Sequence, residues 1–289
     1  MKCHGRAINC YFFRIKYQIM NPNKALWEKG DFTRIADNMR ESGEALIDTL
    51  DITTGMRVLD VGCGDGTTAI PAARRGANVT GVDIAENLVA AGQARARAEG
   101  ITNIDFQQGD ASDLAGFEDD TYDLVVSIFG AMFAPRPDDV ARELVRVAKP
   151  GGRIVMGNWI PGDPTLVAQI LRISSAYAPP PPEGFISPMR WGVEEDVRTR
   201  FTNAGIDPGN IGFEKATYTF HAPYDSDTFV DIFRNYYGPT MNAFEAAEKD
   251  GKADQLKSEL ETLFREHNKS EDAGRSEIDA SFLKVTVRK

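Results

Sequence analysis

Hydrophobic residues along the chain fall into two alternating patterns. Short apolar runs rich in β-branched residues, such as 57–61 and 122–128, are typical of strands that are buried on both faces. Between these runs, apolar residues recur every three or four positions, which is typical of amphipathic helices. The alternation over residues 57–158 predicts a parallel sheet covered by helices on both faces, and right-handed crossovers make such a sheet doubly wound.

The same pattern places the individual elements. Residues 23–50 have helical spacing, with a break at Gly30 and Asp31. Further helices are predicted at 67–75, 87–99, 138–148 and 194–204, and over most of 226–268. Strands are predicted at 57–61, 78–82, 104–107, 122–128, 153–156, 213–220 and 282–287. The proline-rich stretch 178–182 is typical of a stiff surface loop.

The segment 58–66 reads V-L-D-V-G-C-G-D-G and joins the first predicted strand to the helix that follows it. Glycines in such a turn adopt positive φ and let the backbone approach a ligand closely, and the following helix N-terminus favours a negative group. The G-x-G-x-G spacing differs from the G-x-G-x-x-G fingerprint of dinucleotide-binding enzymes. Asp60, at the end of the strand, disfavours a pyrophosphate and favours a cationic ligand.

Two more carboxylates follow the next two strands. Asp83 ends the second strand, 21 positions after Gly62, where an acid can bind both hydroxyls of a ribose. Asp110 follows the third strand and can accept a hydrogen bond from an adenine amine, although a lone aspartate there is more typical of a helix N-cap or a turn. Together with Asp60, these acids indicate a nucleoside ligand that carries positive charge, as S-adenosylmethionine does on its sulfonium and ammonium groups.

These motifs resemble those of class I S-adenosylmethionine-dependent methyltransferases, and in particular the ubiquinone/menaquinone-biosynthesis group. The similar segments are D-V-G-C-G-D-G at 60–66, V-D at 82–83, G-D-A at 109–111, the stretch from Phe117 through V-V-S at 125–127, and L-V-R-V-A-K-P-G-G at 144–152. The similarity extends over about residues 25–160. It implies an α/β, Rossmann-like methyltransferase fold with a doubly wound, mostly parallel seven-stranded sheet and a helical insert before the last strand.

The resemblance also implies which residues bind the cofactor. The methionine moiety is expected to contact Asp60 and the backbone of Gly62, Cys63, Gly64 and Gly66. The remaining expected contacts are Asp83 with the ribose, Ile84, Asp110 and Ala111 with the adenine, and backbone groups of Ser127 and Ile128 with the methionine amine. S-adenosylhomocysteine is the expected product, no metal is expected, and Trp27 and Phe32 are candidates for an N-terminal lid.

The sequence pattern and the resemblance together predict the organisation of the chain. Residues 1–19 are expected to be a flexible leader, and residues 20–222 the cofactor-binding core with its N-terminal helical lid. Residues 223–278 are expected to form a helical insert that covers the acceptor site and sets specificity. Residues 279–289 complete the core as its last strand.

No residue is assigned a catalytic role from the sequence. In-line methyl transfer requires alignment and the exclusion of water, and it requires a general base only when the nucleophile arrives protonated. His221 is a candidate base, although a lone histidine is more often a surface or packing residue. Phe129, Met132 and Phe133 follow the fourth strand and either line a pocket for a partly apolar acceptor or pack in the core. Trp159, Trp191, Tyr236 and Tyr237 are more typical of packing, Arg190 of a surface salt bridge, and Cys63 of a small loop residue.

The composition narrows the partners and the compartment. A net charge of −10 disfavours nucleic acid, so the acceptor is expected to be a small molecule. The cysteines, which are Cys3, Cys10 and Cys63, match no zinc spacing and are typical of a reducing, cytoplasmic compartment. No run of about eighteen apolar residues predicts a membrane span. A monomer and a homodimer are both compatible with the sequence.

Two other functions stay open at this point. A nicotinamide-dependent oxidoreductase also uses a glycine-rich loop, but the loop spacing and Asp60 argue against it. A non-catalytic S-adenosylmethionine-binding protein would carry the same loop and acids, because these motifs indicate binding rather than turnover.

Overall fold

A seven-stranded sheet organises the chain in the computed structural model, which describes residues 23–289. The strands lie in the order β3-β2-β1-β4-β5-β7-β6. Their bounds are β1 Arg57–Val61, β2 Asn78–Asp83, β3 Ile104–Gln108, β4 Tyr122–Ile128, β5 Ala148–Trp159, β6 Ile211–Ala222 and β7 Ser276–Arg288. Strands β1 to β5 are parallel, whereas β7 runs antiparallel to both β5 and β6. The doubly wound, mostly parallel seven-stranded sheet predicted from the sequence is therefore confirmed.

Helices cover both faces of this sheet. Those that precede or interleave with β1 to β5 are α1 Lys24–Glu28, α2 Thr33–Ala36, α3 Arg40–Asp48, α4 Ala69–Arg74, α5 Glu86–Ala98 and α6 Pro137–Val147. Those that follow are α7 Leu166–Tyr177, α8 Glu194–Asn203, α9 Ser226–Tyr236, α10 Gly238–Lys249 and α11 Ala253–His267. Over residues 23–289, no helix is both long and apolar enough to cross a bilayer.

The strand order reverses between β1 and β4, which lie side by side with crossovers leaving in opposite directions. In β1, every residue after Arg57 is buried, and Asp60 is the one charged residue among them. In a doubly wound sheet, the crevice outside the carboxyl ends of the strands at this reversal is where ligands bind. The fold therefore directs the loops after β1 and β4 toward one place.

The predicted elements need correction in two respects. β5 and β7 are longer than expected, because they pair along Arg153–Trp159 and Phe282–Arg288, and β7 continues along β6 to Ser276. Helix α7 was not predicted at all. Its sequence L-V-A-Q-I-L-R-I-S-S-A-Y mixes β-branched residues with a nearly continuous apolar run, and such runs do not distinguish helix from strand by periodicity.

The helices between β6 and β7 pack beside α7 and continue the hydrophobic core of the sheet. Phe229, Phe233 and Phe264 are buried at the centre of this group, with ring centroids 5.3–5.4 Å apart. The helical insert predicted before the last strand is present as α9, α10 and α11. The leader predicted at 1–19 lies outside the described residues.

Candidate functional site

A cavity of about 900 Å³, which includes the solvent at its mouth, lies at the carboxyl ends of β1, β2 and β4. Its walls combine the glycine loop after β1, the loops after β2, β3 and β4, and the N-terminal helices. The predicted residues that line it are Gly62, Cys63, Gly64, Asp83, Ile84, Ala111 and Ile128. The fold thus brings together most of the residues that the sequence assigned to the cofactor.

The glycine loop approaches the loop after β4 more closely than any side chain would allow. Gly62 has φ +72°, and a Cβ atom built on it would lie 2.6 Å from Cα of Gly130. Gly64 and Gly66 also have positive φ, at +56° and +87°. The backbone amides of Gly62 and Cys63 both donate to the carbonyl of Val82, at 2.7 and 3.0 Å. This places the loop against the end of β2, where Asp83 stands.

The Asp83 carboxylate holds the glycine loop to the start of α5. Its Oδ2 accepts a hydrogen bond from the backbone amide of Gly64 at 2.8 Å, and its Oδ1 accepts one from Ala85 at 2.9 Å. Burial raises the pKa of Asp83 above its ordinary value, while the amide hydrogen bonds act in the opposite direction. Asp83 lines the cavity, so the same carboxylate fixes the loop and faces the ligand space.

Asp60 is almost wholly buried behind the glycine loop and does not line the cavity. Its Oδ2 accepts a hydrogen bond from the Thr68 hydroxyl at 2.5 Å, and its Oδ1 has no hydrogen-bond partner among the described residues. Burial raises the pKa of Asp60 to about 7, opposed by the Thr68 hydrogen bond and assisted by the nearby Asp83 carboxylate. A buried carboxylate oxygen without a partner is suited to a ligand that brings positive charge.

Replacing Asp60 by asparagine is expected to remove a pH dependence of stability. The folded chain keeps the Asp60 proton up to about pH 7, whereas the unfolded chain releases it near the ordinary pKa of 3.8. The free energy of unfolding therefore falls by up to about 1.4 kcal/mol per pH unit as the pH rises between these values. In urea unfolding, the free energy of unfolding should fall less between pH 5 and pH 8 for Asp60→Asn than for the wild type.

The matched control for this experiment is Asp254→Asn, which changes an exposed aspartate on α11. Its pH dependence should follow that of the wild type. If the free energy of unfolding changes equally with pH in Asp60→Asn and the wild type, Asp60 does not hold its proton in the folded protein.

The other predicted cofactor residues lie just behind the cavity wall. A Cβ on Gly66 would lie 2.8 Å from the Phe106 ring. Asp110 accepts hydrogen bonds from the amide and the hydroxyl of Ser112, at 2.8 and 2.7 Å, which is the geometry of a turn aspartate. Ser127 donates to the carbonyl of Val61 at 2.6 Å and accepts from the amide of Ala131 at 3.0 Å. Its side chain therefore ties the end of β1 to the loop after β4.

Phe129, directly after β4, is held in a strained conformation. It has φ +63°, which a bulky residue rarely adopts. Its ring lines the cavity and stacks on Trp159, with 3.6 Å between centroids and 7° between planes. Tyr218 and Phe282 contact it edge-on at 5.1 and 5.3 Å. The strands β5, β6 and β7 thus supply an aromatic floor beneath the loop that faces Gly62.

Aromatic residues also form the outer wall of the cavity. Trp27, Phe32 and Phe133 line it, as their position in the sequence suggested, and Tyr237 packs behind Trp27 at 6.0 Å. Met132 does not line the cavity, because its side chain is buried in the core instead. Lining residues that the sequence did not indicate include Met39, Thr67 and Tyr218.

Asp65, in the glycine loop, anchors the N-terminal helices. Arg40 on α3 donates to both carboxylate oxygens of Asp65 and to the hydroxyl of Thr67. Arg95 on α5 donates to the Asp65 carbonyl at 2.6 Å and lies 3.5 Å from its carboxylate. This buried cluster had no sequence signal, because its members are separated by 25 and 30 positions in the chain.

Two of the remaining candidates, His221 and Arg190, lie away from the cavity, whereas Cys63 lines it. His221 on β6 approaches Glu41 at 3.8 Å and does not line the cavity, so the described structure gives no support to a role as general base. Arg190 forms a surface salt bridge with Asp196. Burial raises the pKa of the Cys63 thiol well above its ordinary value, which disfavours a thiolate nucleophile.

Comparison with known proteins places the chain among methyltransferase-like sequences. Residues 59–156 match the family described as methyltransferase domain. An uncharacterised protein of Mycobacterium tuberculosis (strain H37Rv) is 34% identical over 247 residues, which are 85% of this chain and 88% of the relative. Methyltransferase GfsG of Streptomyces halstedii is 37% identical over 130 residues, or 43% of this chain and 46% of that protein.

Solved structures show the same fold at low sequence identity. The YcgJ protein of Bacillus subtilis superposes with a TM-score of 0.56 at 19% identity, covering 86% of this chain and 98% of that one. A structure described as a putative methyltransferase of Bacillus halodurans gives a TM-score of 0.54 at 18% identity, covering 85% and 98%. These similarities concern the architecture of the sheet and its helices.

Proposed function

Because the chain belongs to the class I S-adenosylmethionine-dependent methyltransferases, we propose that it moves a methyl group from S-adenosylmethionine to a small, partly apolar molecule by in-line displacement. The observation that carries this proposal is the Asp83 carboxylate, which is fixed by two backbone amides at the edge of the cavity beside the glycine loop.

The residues present fit the cofactor. We assign Asp83 to the ribose hydroxyls, Ile84 and Ala111 to the adenine, and the backbone of the glycine loop and Ile128 to the methionine moiety. Asp60 lies buried behind that moiety with one unpartnered oxygen, and a cationic ligand beside it would favour its ionised form. Gly66, Asp110 and Ser127 act from behind the wall, because their contacts shape the loops that the cofactor touches.

S-adenosylmethionine, when bound, supplies a methyl group that is already activated by the positive sulfur. The chain therefore needs to orient two molecules and keep water away from the methyl group. Phe129 and Tyr218 form the floor on which the reactants rest, and Trp27 and Phe133 form the rim that excludes water. The proposed mechanism contains no proton transfer by a side chain.

We further propose that the helical insert at 223–278 controls the rim. Tyr237 packs against Trp27, and Lys29 forms an ion pair with Glu245 at 2.7 Å and donates to Asn242 at 2.6 Å. On the other side of α1, the Glu28 carboxylate accepts a hydrogen bond from the backbone amide of Glu86 at 3.1 Å. The first helix thus bridges the cofactor loops and the insert, so changes in the insert should alter acceptor specificity.

Calorimetric titration with S-adenosylhomocysteine, with NAD as the control ligand, tests the cofactor assignment. We expect micromolar binding of S-adenosylhomocysteine and none of NAD. Binding of NAD alone would support a nicotinamide-dependent oxidoreductase, and folded protein that binds neither ligand would contradict the proposed function. A protein that binds S-adenosylhomocysteine yet turns over none of the acceptors in a broad screen would support the non-catalytic alternative.

On the scarcity of cysteine we place the enzyme in the cytoplasm, and we expect it to act as a monomer or homodimer.

A further inference from the structure

The cavity wall beyond the glycine loop is built from rings that contact one another. Trp27, Phe32 and Phe133 all line the cavity, with ring centroids 5.7 Å apart for Trp27 and Phe32 and 4.9 Å apart for Trp27 and Phe133. Each of these rings is only half-buried in the described structure. Clustered aromatic rings bind apolar groups, and they bind cations through the negative potential of their faces.

The described part of the cavity lining presents no cationic side chain to an anionic acceptor. Within residues 23–289, the cavity lining contains no lysine, arginine or histidine. Its charged members, Asp65 and Asp83, are both acidic, and Asp65 is neutralised by Arg40 and Arg95. A carboxylate or phosphate acceptor would therefore lose its hydration without gaining an ion pair.

Among residues 23–289, the carboxylates that line the cavity are already bound to other groups, and Asp83 is further assigned to the ribose. Both carboxylate oxygens of Asp65 are held by Arg40, and both oxygens of Asp83 by backbone amides. The Tyr218 hydroxyl donates to the carbonyl of Met39 at 3.0 Å, and burial raises the pKa of Tyr218 above its ordinary value. An alcohol acceptor would need such a group, because its oxygen must lose a proton when the methyl group is transferred.

We infer, on the basis of the proposed function, that the acceptor is an uncharged secondary or tertiary amine on a largely apolar skeleton. The lone pair of the amine nitrogen forms the new bond to the methyl carbon as the sulfur–carbon bond breaks. The sulfur keeps the electrons of that bond and becomes neutral, and the positive charge passes to the nitrogen. Because an alkylammonium has a pKa of about 10, the amine gives its proton to solvent before it enters the cavity. No further proton leaves the site during transfer, so the lack of a free base is no obstacle, and the aromatic wall stabilises the ammonium that forms.

Binding of product-like probes tests this inference without relying on turnover. We would titrate trimethyl(2-phenylethyl)ammonium, its uncharged isostere (3,3-dimethylbutyl)benzene and the anion 4-phenylbutanoate into protein saturated with S-adenosylhomocysteine. The ammonium should bind about tenfold more tightly than the isostere, which is the range expected for a partly desolvated cation–π contact. The carboxylate should not bind. An isostere that binds as tightly as the ammonium, or a carboxylate that binds at all, would overturn the inference.

Variants of the cavity wall test whether its aromatic rings cause the preference for the ammonium probe. Trp27→Leu and Phe133→Leu keep an apolar side chain and remove a ring. Each should therefore weaken binding of the ammonium probe about tenfold and binding of the isostere less than twofold. Phe185→Leu changes an exposed ring outside the cavity and should change neither. If both cavity variants weaken the two probes equally, the wall is merely apolar and the amine assignment fails.

The inference and the proposed function fail in different ways. Loss of S-adenosylhomocysteine binding by folded wild type contradicts both. Normal S-adenosylhomocysteine binding without a preference for the ammonium contradicts the amine alone. As a second readout, N,N-dimethyl-2-phenylethylamine should be methylated and 2-phenylethanol should not, and the reverse result would point to a proton acceptor supplied by another part of the chain and overturn the inference.

Discussion

Gly62→Ala is expected to abolish binding of S-adenosylhomocysteine and to lower the free energy of unfolding by about 3 kcal/mol. The positive φ of +72° accounts for about 1–2 kcal/mol of this loss in a residue with a Cβ. The rest comes from overpacking, because the new methyl group would lie 2.6 and 2.8 Å from Cα and the carbonyl carbon of Gly130. Both contacts are with backbone, so no side chain can move aside, and the loops after β1 and β4 must separate.

Gly100→Ala separates these two effects. Gly100 has φ +69°, nearly the same as Gly62, but a Cβ there would meet no atom within 4 Å. We expect this control to lose about 1 kcal/mol and to bind S-adenosylhomocysteine normally. Urea unfolding and calorimetry of both variants measure the difference. Equal losses in the two variants would mean that the close approach of the two loops does not constrain the site.

The strands β1 to β4 could be predicted from the sequence because their signals are local. Strands β1 and β4 are short, mostly apolar runs, all four strands are bounded by glycine or by a polar turn, and their neighbours are set by the right-handed crossover rule. Helix α7 lacked such a signal, since its burial depends on the distant helices α10 and α11. The full length of β7 could not be predicted either, because its first residues form a strand only by pairing with β6.

The residues of the candidate site also divide into those with a local sequence signal and those brought together only by folding. The proposed cofactor side could be predicted because Gly62, Gly64 and Asp83 belong to segments with fixed spacing in the chain. The proposed acceptor side is assembled from residues far apart in sequence: Tyr218 donates to the carbonyl of Met39 across 179 positions. No periodicity carries that information, so the cavity floor and the Arg40 cluster are visible in the folded chain alone.

Asp83→Asn is expected to weaken binding of S-adenosylhomocysteine about 100-fold, or by about 2.7 kcal/mol, while leaving the fold stable. The asparagine carbonyl can accept only one of the two hydrogen bonds now donated by the backbone amides of Gly64 and Ala85, and its NH₂ group would face the other amide. The ribose would also lose a charged acceptor. Stability should change by about 1 kcal/mol or less, because the substitution also removes the cost of burying a carboxylate, which raises the pKa of Asp83.

This outcome contrasts with Gly62→Ala, which should damage folding and binding together, so the pair of variants distinguishes the loop's shape from its chemistry. Asp105→Asn, on the neighbouring strand β3, changes an exposed aspartate in the same way and should leave binding unchanged. Calorimetric titration of all three proteins with S-adenosylhomocysteine gives the comparison. If Asp83→Asn binds as tightly as Asp105→Asn, the ribose is held elsewhere, and the assignment of Asp83 as the residue that fixes both loop and ligand is wrong.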